Sequence, residues 1–406
     1  MKSAILIVGL SLLVGVTVLL AGDAVAPQDF TSVSFAKAIT FDTSIVYPSS
    51  LAAGDLTQDG FPGIAVVSPD NTETPLEYAL GKGNGHFRAW RNNDNVGNAP
   101  GFVLLADVYG DGNLDAITTD VGGDDLFVAF GDGKGHLQGG KRLLVDGVQA
   151  TFIAAVADLN GDGIPDIVGT TDTGIFVILG KGDRKFAKAV TFSSGGQNPY
   201  GIAVGDLNHD GIPDLVVANY GTEQNGDYGN IAVLLGKGDG TSFDPPVLYP
   251  IGKYEDPSSL ILGDFNGDGN LDIAVTTLNS HAVHVMLGHG DGTFSRPRSF
   301  FASSTGAGSI VTADFNGDGR LDLAVTSCYI PNPCYVAVLL GSGDGTFQPP
   351  VKFPIGGGPT QLVVADFTND GKPDLATVGT GPHDQGHVSI LLNTTQFPTP
   401  SQPPSK

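Results

Sequence analysis

The sequence is poor in cations, in sulfur-containing residues and in tryptophan. It has 20 Lys and Arg against 43 Asp and Glu, with two Cys, two Met and one Trp among 406 residues, and its formal charge is −23. A chain this acidic repels phosphate backbones, so we expect no nucleic-acid partner. Only 16% of the residues are charged, while 59 are Gly and 26 are Pro, which is typical of short strands joined by tight turns. The composition therefore predicts an all-β protein.

The N-terminus resembles an export signal. Met1 and Lys2 precede an apolar run over residues 4–20, and small residues surround Asp23. This order is typical of a secretory signal peptide, which we predict over residues 1–24. The alternative is an uncleaved anchor, because the run is just short of the ~20 apolar residues that span a bilayer. In both cases we expect the remaining chain to be secreted, periplasmic or at the cell surface, with no other membrane insertion.

Two smaller features concern the cysteines and the C-terminus. Cys328 and Cys334 bracket a turn-rich stretch between two apolar runs, which in an oxidising compartment predicts a local structural disulfide. Two free thiols are the alternative. Residues 394–406 are rich in Pro, Thr and Ser and show no periodicity, which predicts a disordered tail.

A nine-residue pattern, Asp-x-Asn-x-Asp-Gly-x-x-Asp, recurs along the chain at intervals of about fifty residues. Its seven copies begin at Asp55, Asp107, Asp158, Asp206, Asp264, Asp314 and Asp366. Each copy lies between two apolar runs, and a third run leads through a Gly-rich hairpin into a fourth. Four strands per repeat at this period predict a seven-bladed β-propeller of four-stranded antiparallel blades.

The last repeat ends at Asn393 without its fourth strand. At the other end of the chain, residues 35–41 (FAKAITF) nearly copy residues 186–192 (FAKAVTF), which form a fourth strand in mid-chain. The N-terminal strand is therefore predicted to complete the last blade, closing one domain over residues 31–393. Closure of this kind removes the free sheet edges of an open array.

The repeated Asp pattern places hard oxygen ligands at alternate positions of a short loop, which suits calcium. Turn chemistry alone is the alternative, but it does not require an acid at position 9. Four loops have the complete ligand set: Asp158, Asn160, Asp162 and Asp166; Asp206, Asn208, Asp210 and Asp214; Asp264, Asn266, Asp268 and Asp272; Asp314, Asn316, Asp318 and Asp322. We predict about six calcium sites with a structural role.

The other three loops depart from the pattern at position 3 or 9. Two are predicted to be weaker calcium sites: Asp366, Thr368, Asp370 and Asp374, with a hydroxyl at position 3, and Asp107, Asp111 and Asp115, with Tyr109 at position 3. The loop of Asp55, Thr57 and Asp59 has Gly63 at position 9, so it loses one ligand and one charge. We expect this loop to be empty or weak.

These repeats resemble FG-GAP/VCBS repeats, the units of the integrin α-subunit propeller and of many exported bacterial proteins. The resemblance rests on the Asp loop, the Leu-Gly-x-Gly-Asp-Gly-x-Phe hairpin and the seven copies, and covers residues 35–393. It implies a calcium-binding propeller, but it says little about function, because the family includes both adhesion modules and propellers with lyase activity.

The sequence has no recognisable catalytic constellation, so we predict a monomeric binding or adhesion module for an extracellular protein or glycan. A polysaccharide-active enzyme, such as a lyase, is the alternative. Individual loops on the face opposite the Asp loops provide the candidate ligand-binding residues, which are Tyr200, Tyr220, Tyr228 and Tyr254. Ordinary loop decoration is the competing interpretation of these tyrosines.

Overall fold

The computed structural model describes residues 32–397, except 71–74, 95, 121–122, 124, 146–149, 223–227, 304–305, 329–333 and 382–383. The predicted signal peptide and residues 398–406 of the predicted tail lie outside this part. The described chain forms 28 β-strands and no α-helix, arranged as seven four-stranded antiparallel sheets. This confirms the seven-bladed propeller predicted from the repeats. Within the described residues, no helix has the length and apolar character needed to cross a membrane.

Each blade has four strands, here called A to D in sheet order. Blade 1 consists of β2 (Ser50–Gly54), β3 (Gly63–Val67), β4 (Leu76–Ala79) and β5 (Arg91–Asn93), and blade 2 of β6 (Pro100–Ala106), β7 (Asp115–Asp120), β8 (Asp125–Gly131) and β9 (Leu137–Leu144). Blade 3 consists of β10 (Ala150–Ala157), β11 (Asp166–Thr171), β12 (Ile175–Ile178) and β13 (Val190–Phe192), and blade 4 of β14 (Pro199–Gly205), β15 (Asp214–Gly221), β16 (Tyr228–Leu234) and β17 (Val247–Pro250).

Blade 5 consists of β18 (Pro257–Gly263), β19 (Asp272–Thr277), β20 (Ala282–Met286) and β21 (Arg298–Phe301), and blade 6 of β22 (Ile310–Ala313), β23 (Asp322–Ser327), β24 (Tyr335–Leu339) and β25 (Val351–Pro354). Blade 7 consists of β26 (Gly358–Ala365), β27 (Asp374–Thr380), β28 (Gln385–Leu391) and the N-terminal strand β1 (Ile39–Val46). In every blade the Asp loop connects A to B, and position 9 of the loop is the first residue of strand B.

The N-terminal strand closes the ring as predicted. Ile39 pairs with Ile390 of β28, and the Ala36 amide donates to the Leu392 carbonyl at 2.8 Å. At the innermost strands, the Gln361 side-chain oxygen of blade 7 accepts hydrogen bonds from the Ser50 hydroxyl (2.6 Å) and the Leu51 amide (2.9 Å) of blade 1. Both ends of the described part of the chain are thus tied into one structure, which leaves no gap between the first and last blades.

The apolar core is divided among the junctions between neighbouring blades. Seven clusters of buried side chains fill these junctions in the described part of the chain. Position 2 of each Asp loop is an apolar residue packed between its own blade and the next: Leu56, Val108, Leu159, Leu207, Phe265, Phe315 and Phe367. Full burial of each such side chain is worth about 1.5–3 kcal/mol. The Asp loops are therefore anchored to the core of the ring.

The chain remains packed beyond β28. Thr395 is buried, and the Thr394 amide donates to the Ser34 carbonyl at 2.9 Å. Phe397 lies directly over Gly317 of the sixth Asp loop, where an added Cβ would be 2.6 Å from its ring. Residues 394–397 therefore depart from the disordered tail that their composition predicts, because hydrogen bonds and the Phe397 ring hold them against blades 6 and 7.

Candidate functional site

Three of the four complete Asp loops, those that begin at Asp158, Asp264 and Asp314, share one internal geometry, shown here by the sixth loop of the chain. The Asp314 carboxylate accepts backbone hydrogen bonds from Gly317 (2.7 Å), Asp318 (3.1 Å) and Gly319 (2.7 Å). The Asn316 amide donates to Asp318 Oδ2 at 2.9 Å. Gly319 has a φ of 82°, in the left-handed region that favours glycine, so the Gly at position 6 permits the turn. These contacts bring the side chains at positions 1, 3 and 5 together on the loop.

Position 9 has a role that the sequence interpretation missed. Asp322 Oδ2 accepts a hydrogen bond from the Phe315 amide (2.9 Å), and Oδ1 accepts one from the Gly341 amide (2.8 Å) of the C–D hairpin. The same two-sided contact occurs at Asp115, Asp166, Asp214, Asp272 and Asp374. The position-9 carboxylate therefore joins the A–B loop to the backbone that follows strand C of its blade, whether or not a metal is bound.

Burial raises the pKa of each of these position-9 carboxyls. The pKa of Asp322 rises to about 8, because desolvation outweighs the hydrogen bonds from Gly341 and Phe315, and because Asp314 and Asp318 repel its negative charge. The pKa values of the equivalent residues are about 7 for Asp115 and Asp374 and about 6 for Asp166, Asp214 and Asp272, with desolvation again the largest cause. Burial and the neighbouring carboxylates of each loop thus make the position-9 carboxyl harder to ionise.

The donor chemistry of the complete loops fits a hard divalent cation. In the fourth loop, Asp206 Oδ2 accepts a hydrogen bond from Gly211 (3.0 Å), but Asp206 Oδ1 is buried without a partner. A buried acceptor oxygen without a hydrogen-bond partner is a suitable calcium ligand. No three His, Cys, Asp or Glu side chains of the described residues converge as a metal-binding group. Calcium therefore stays a prediction at these loops, with positions 1, 3, 5 and 9 as its ligands.

The second loop differs from the complete loops at position 3. The Tyr109 ring packs against Phe130 (5.4 Å between ring centroids) and Phe186 (5.7 Å), and its hydroxyl is buried without a hydrogen-bond partner. Arg184 of blade 3 covers Tyr109 and Phe130 at 5.4 and 4.9 Å from their centroids. Its guanidinium donates to Asp111 Oδ2 at 3.3 Å, the oxygen that receives the Asn amide in complete loops. An arginine thus takes the place of the missing carboxamide.

The first and seventh loops have a threonine at position 3. The Thr57 hydroxyl donates to Asp55 at 3.0 Å, and the Thr368 hydroxyl donates to Asp366 at 3.3 Å. Position 5 forms an ion pair in each: Asp59 with Arg88 at 3.6 Å, and Asp370 with Lys372 at 3.5 Å. Only the seventh of these two loops retains the position-9 carboxylate, since the first has Gly63 there.

The opposite face of the ring has a pocket at the axis. It encloses about 320 Å³ and lies where the A strands begin, whereas the Asp loops follow the ends of these strands. Blades 1, 2, 4, 5, 6 and 7 contribute to its wall, which includes Ser49, Phe102, Tyr200, Ser259, Ser309 and Thr360. No Asp, Glu, His, Lys or Arg is among the described residues that line it. The pocket therefore offers hydroxyls, an amide and apolar surface without formal charge.

The four tyrosines selected from the sequence form two pairs on this same face. Tyr200 and Tyr220 have ring centroids 6.2 Å apart, and Tyr200, which is 47% exposed, lines the axial pocket. Tyr228 and Tyr254 meet edge to face at 5.1 Å, and Lys253 Nζ lies 5.1 and 4.8 Å from their ring centroids. All four surround blade 4 and the loop that follows it. Only Tyr200 is part of the pocket wall.

The two cysteines lie on the same face as these tyrosines. Cys328 follows strand β23, Cys334 precedes strand β24, and a disulfide joins them. The five residues between them, 329–333, lie outside the described part. The bond therefore connects the ends of strands B and C in blade 6, as a local cross-link.

The fold and the repeated Asp loops define a β-propeller built from one repeated blade. A family model described as the FG-GAP-like repeat matches residues 107–168, 158–217, 220–275, 264–325 and 328–377. The chain therefore belongs to the FG-GAP repeat family, as its motifs predict. The matches begin at the second Asp loop.

The chain is similar to solved structures. The BP39L lectin from Burkholderia pseudomallei is 14% identical, with a TM-score of 0.58, and the match covers 88% of this chain and 99% of the lectin. A Tc holotoxin pore from Photorhabdus luminescens is 17% identical, with a TM-score of 0.42, over 82% of this chain and 16% of that chain. The lectin match shows a shared fold. No curated protein matches the chain significantly.

Proposed function

We propose that this propeller is an exported binding module that holds a carbohydrate at its axial pocket, with structural calcium in the Asp loops. The observation that supports carbohydrate binding best is the uncharged pocket of about 320 Å³, lined by hydroxyls and by the exposed Tyr200. Sugar-binding sites combine an aromatic face with hydrogen-bonding groups, and pockets of this size fit one or two sugar rings. The lectin neighbour has the same fold, which favours a glycan as the ligand class.

Binding is favoured over a lyase reaction by the chemistry of the pocket wall. A lyase requires a base that removes a proton beside a carboxylate and a group that neutralises this carboxylate. The described wall contains no acid, histidine or cation, and Tyr200 is its one titratable side chain. The pocket is therefore equipped to hold a neutral sugar rather than to transform an acidic one.

A glycan array with the wild-type protein and the Tyr200→Ala variant tests this function. We expect wild-type binding to a limited set of glycans and roughly tenfold weaker binding by the variant, because one aromatic contact is lost. Tyr47→Ala, which removes a similarly exposed tyrosine that does not line the pocket, is the matched control. Release of sugars with unsaturated ends would contradict a binding-only function. The absence of any glycan ligand would contradict carbohydrate binding.

A further inference from the structure

A second groove lies at the junction of blades 2 and 3, away from the axis. It has a volume of about 260 Å³ and is bordered by the outer strand β9 and by residues 186–188, which lead into β13. Leu143, Ile178 and Phe186 form an apolar floor, and Leu144 is 53% exposed at its edge. The groove therefore presents apolar surface to solvent beside a sheet edge.

The groove is also cationic, in a chain whose formal charge is −23. Lys141, Arg142 and Lys188 line it, and no acid is among its described lining residues. Lys141 Nζ lies 5.1 Å from the Phe186 ring centroid and donates to the Arg184 carbonyl, so its ammonium is held over the floor. The Arg142 guanidinium forms an ion pair with Asp125 Oδ2 at 2.7 Å, which holds its side chain in position. Lys141 thus lies over the Phe186 ring, while Arg142, which is ion-paired with Asp125, and Lys188 line the same groove.

The apolar floor and the cations of the groove together indicate which class of ligand it can bind. An anion is repelled by most of this acidic protein, so a local group of cations determines where one binds. The Phe186 ring and the aliphatic floor favour a ligand with an apolar face between its charges. A sugar ring with a carboxylate or sulfate has both features.

We propose that this groove binds an acidic polysaccharide through Lys141, Arg142 and Lys188, with its sugar rings against the apolar floor of the groove. The proposal rests on the proposed glycan binding, but it adds a second, separate site and a ligand class. The acidic groups of the chain would pair with the three cations, and the axial pocket would hold a neutral part of the same or another glycan.

Binding of a galacturonic acid hexamer, measured by calorimetry at low salt, tests the proposal. We expect the Lys141→Glu and Lys188→Glu variants each to weaken binding at least about tenfold, and added salt to weaken wild-type binding. Lys82→Glu makes the same charge change on the exposed hairpin of blade 1 and is expected to bind normally. Circular dichroism and thermal unfolding confirm that the variants fold.

The variants distinguish a failure of the groove proposal from a failure of the proposed axial site. Hexamer binding that is lost in Tyr200→Ala and kept in Lys141→Glu would overturn the groove while supporting the axial site. Equal wild-type affinity for an uncharged glucose hexamer, or for single-stranded DNA with the same sensitivity to Lys141→Glu, would overturn the assignment to acidic sugars. Binding of the hexamer that is unaffected by Tyr200→Ala and lost in both groove variants would support the proposal.

Discussion

The Arg184 guanidinium lies 3.3 Å from Asp111 Oδ2, so a cation from blade 3 reaches into the Asp loop of blade 2. In the complete loops this oxygen receives a neutral amide, such as that of Asn266 at 2.9 Å from Asp268. The second loop therefore lacks one oxygen ligand and has a positive charge at its edge, and both differences disfavour a bound calcium ion.

The first prediction concerns calcium stoichiometry. We expect Asp111→Asn to leave the number of bound calcium ions unchanged and Asp268→Asn, its matched variant in the fifth loop, to remove about one. The double variant Tyr109→Asn with Arg184→Ser is expected to add one, because it supplies the missing carboxamide and removes the competing charge. Titration calorimetry and metal analysis give these numbers. Loss of an ion in Asp111→Asn would show that the second loop binds calcium despite Arg184.

The second prediction concerns removal of the metal. A ligand that binds only the folded state adds about 2.7 kcal/mol to the free energy of unfolding when it is present at 100 times its Kd. We therefore expect a chelator to lower the Tm by several degrees and excess calcium to restore it. The Asp59→Asn variant is expected to respond like the wild type, since its loop already lacks an acid at position 9. A Tm that stays unchanged when excess calcium is added to the metal-free protein would refute the structural metal.

The sequence was sufficient for the fold because each repeat encodes its own turns. The Asp loops and Gly-rich hairpins mark two of the three turns in a blade, and the copy of residues 186–192 at 35–41 reveals the closure. Local patterns of this kind are visible in one sequence, since each depends on residues close together in the chain.

The site could be predicted only in part, because its decisive contacts join different blades. Arg184 is 73 residues from Asp111, and no local pattern links the two. The two hydrogen bonds of Asp322 are also not visible in a local pattern, since this carboxylate joins the Phe315 amide of the A–B loop to the Gly341 amide after strand C. One signal was available: position 2 of every Asp loop is Leu, Val or Phe, which indicates that the loops are anchored in the core.

The third prediction concerns the pH dependence of the calcium-free protein. The folded-state pKa of Asp322 is about 8, above its ordinary value of 3.8, so the folded state binds a proton that the unfolded state releases. Its contribution to stability is complete below the ordinary pKa and is lost as the pH rises through about 8. The pKa values of Asp115 and Asp374 are also raised, to about 7, so these two residues change stability with pH in the same direction as Asp322.

In a chelator, the free energy of unfolding is therefore expected to fall as the pH rises from about 4 to about 8, and the part of this fall above about pH 6 lies outside the range in which ordinary carboxyls titrate. Urea unfolding at a series of pH values measures this slope. We expect the Asp322→Asn variant to show a flatter slope, because one titrating group is removed, and Asp291→Asn, which changes an exposed hairpin acid, to keep the wild-type slope. Identical slopes in all three proteins would contradict the assignment.

The fourth prediction concerns Phe397, which covers the sixth Asp loop. Asn316 is fully buried, and the Asp318 side chain is only 2% exposed, whereas the equivalent Asp268 of the fifth loop is exposed. The Phe397 ring lies over Gly317, and Lys372 Nζ is 5.8 Å from its centroid. A calcium ion in this loop would therefore have to displace the C-terminal segment before it could leave.

We expect calcium release from the sixth loop to be slow and to become roughly tenfold faster in Phe397→Ala, which removes the cover without changing a ligand. Phe397→Leu retains apolar cover and is expected to stay close to the wild type. Stopped-flow mixing with a fluorescent chelator measures the rates, and the Asp318→Asn variant identifies the phase that belongs to this loop. If the phase lost in Asp318→Asn has the same rate in Phe397→Ala as in the wild type, the segment does not control release, and its contacts with the loop are purely structural.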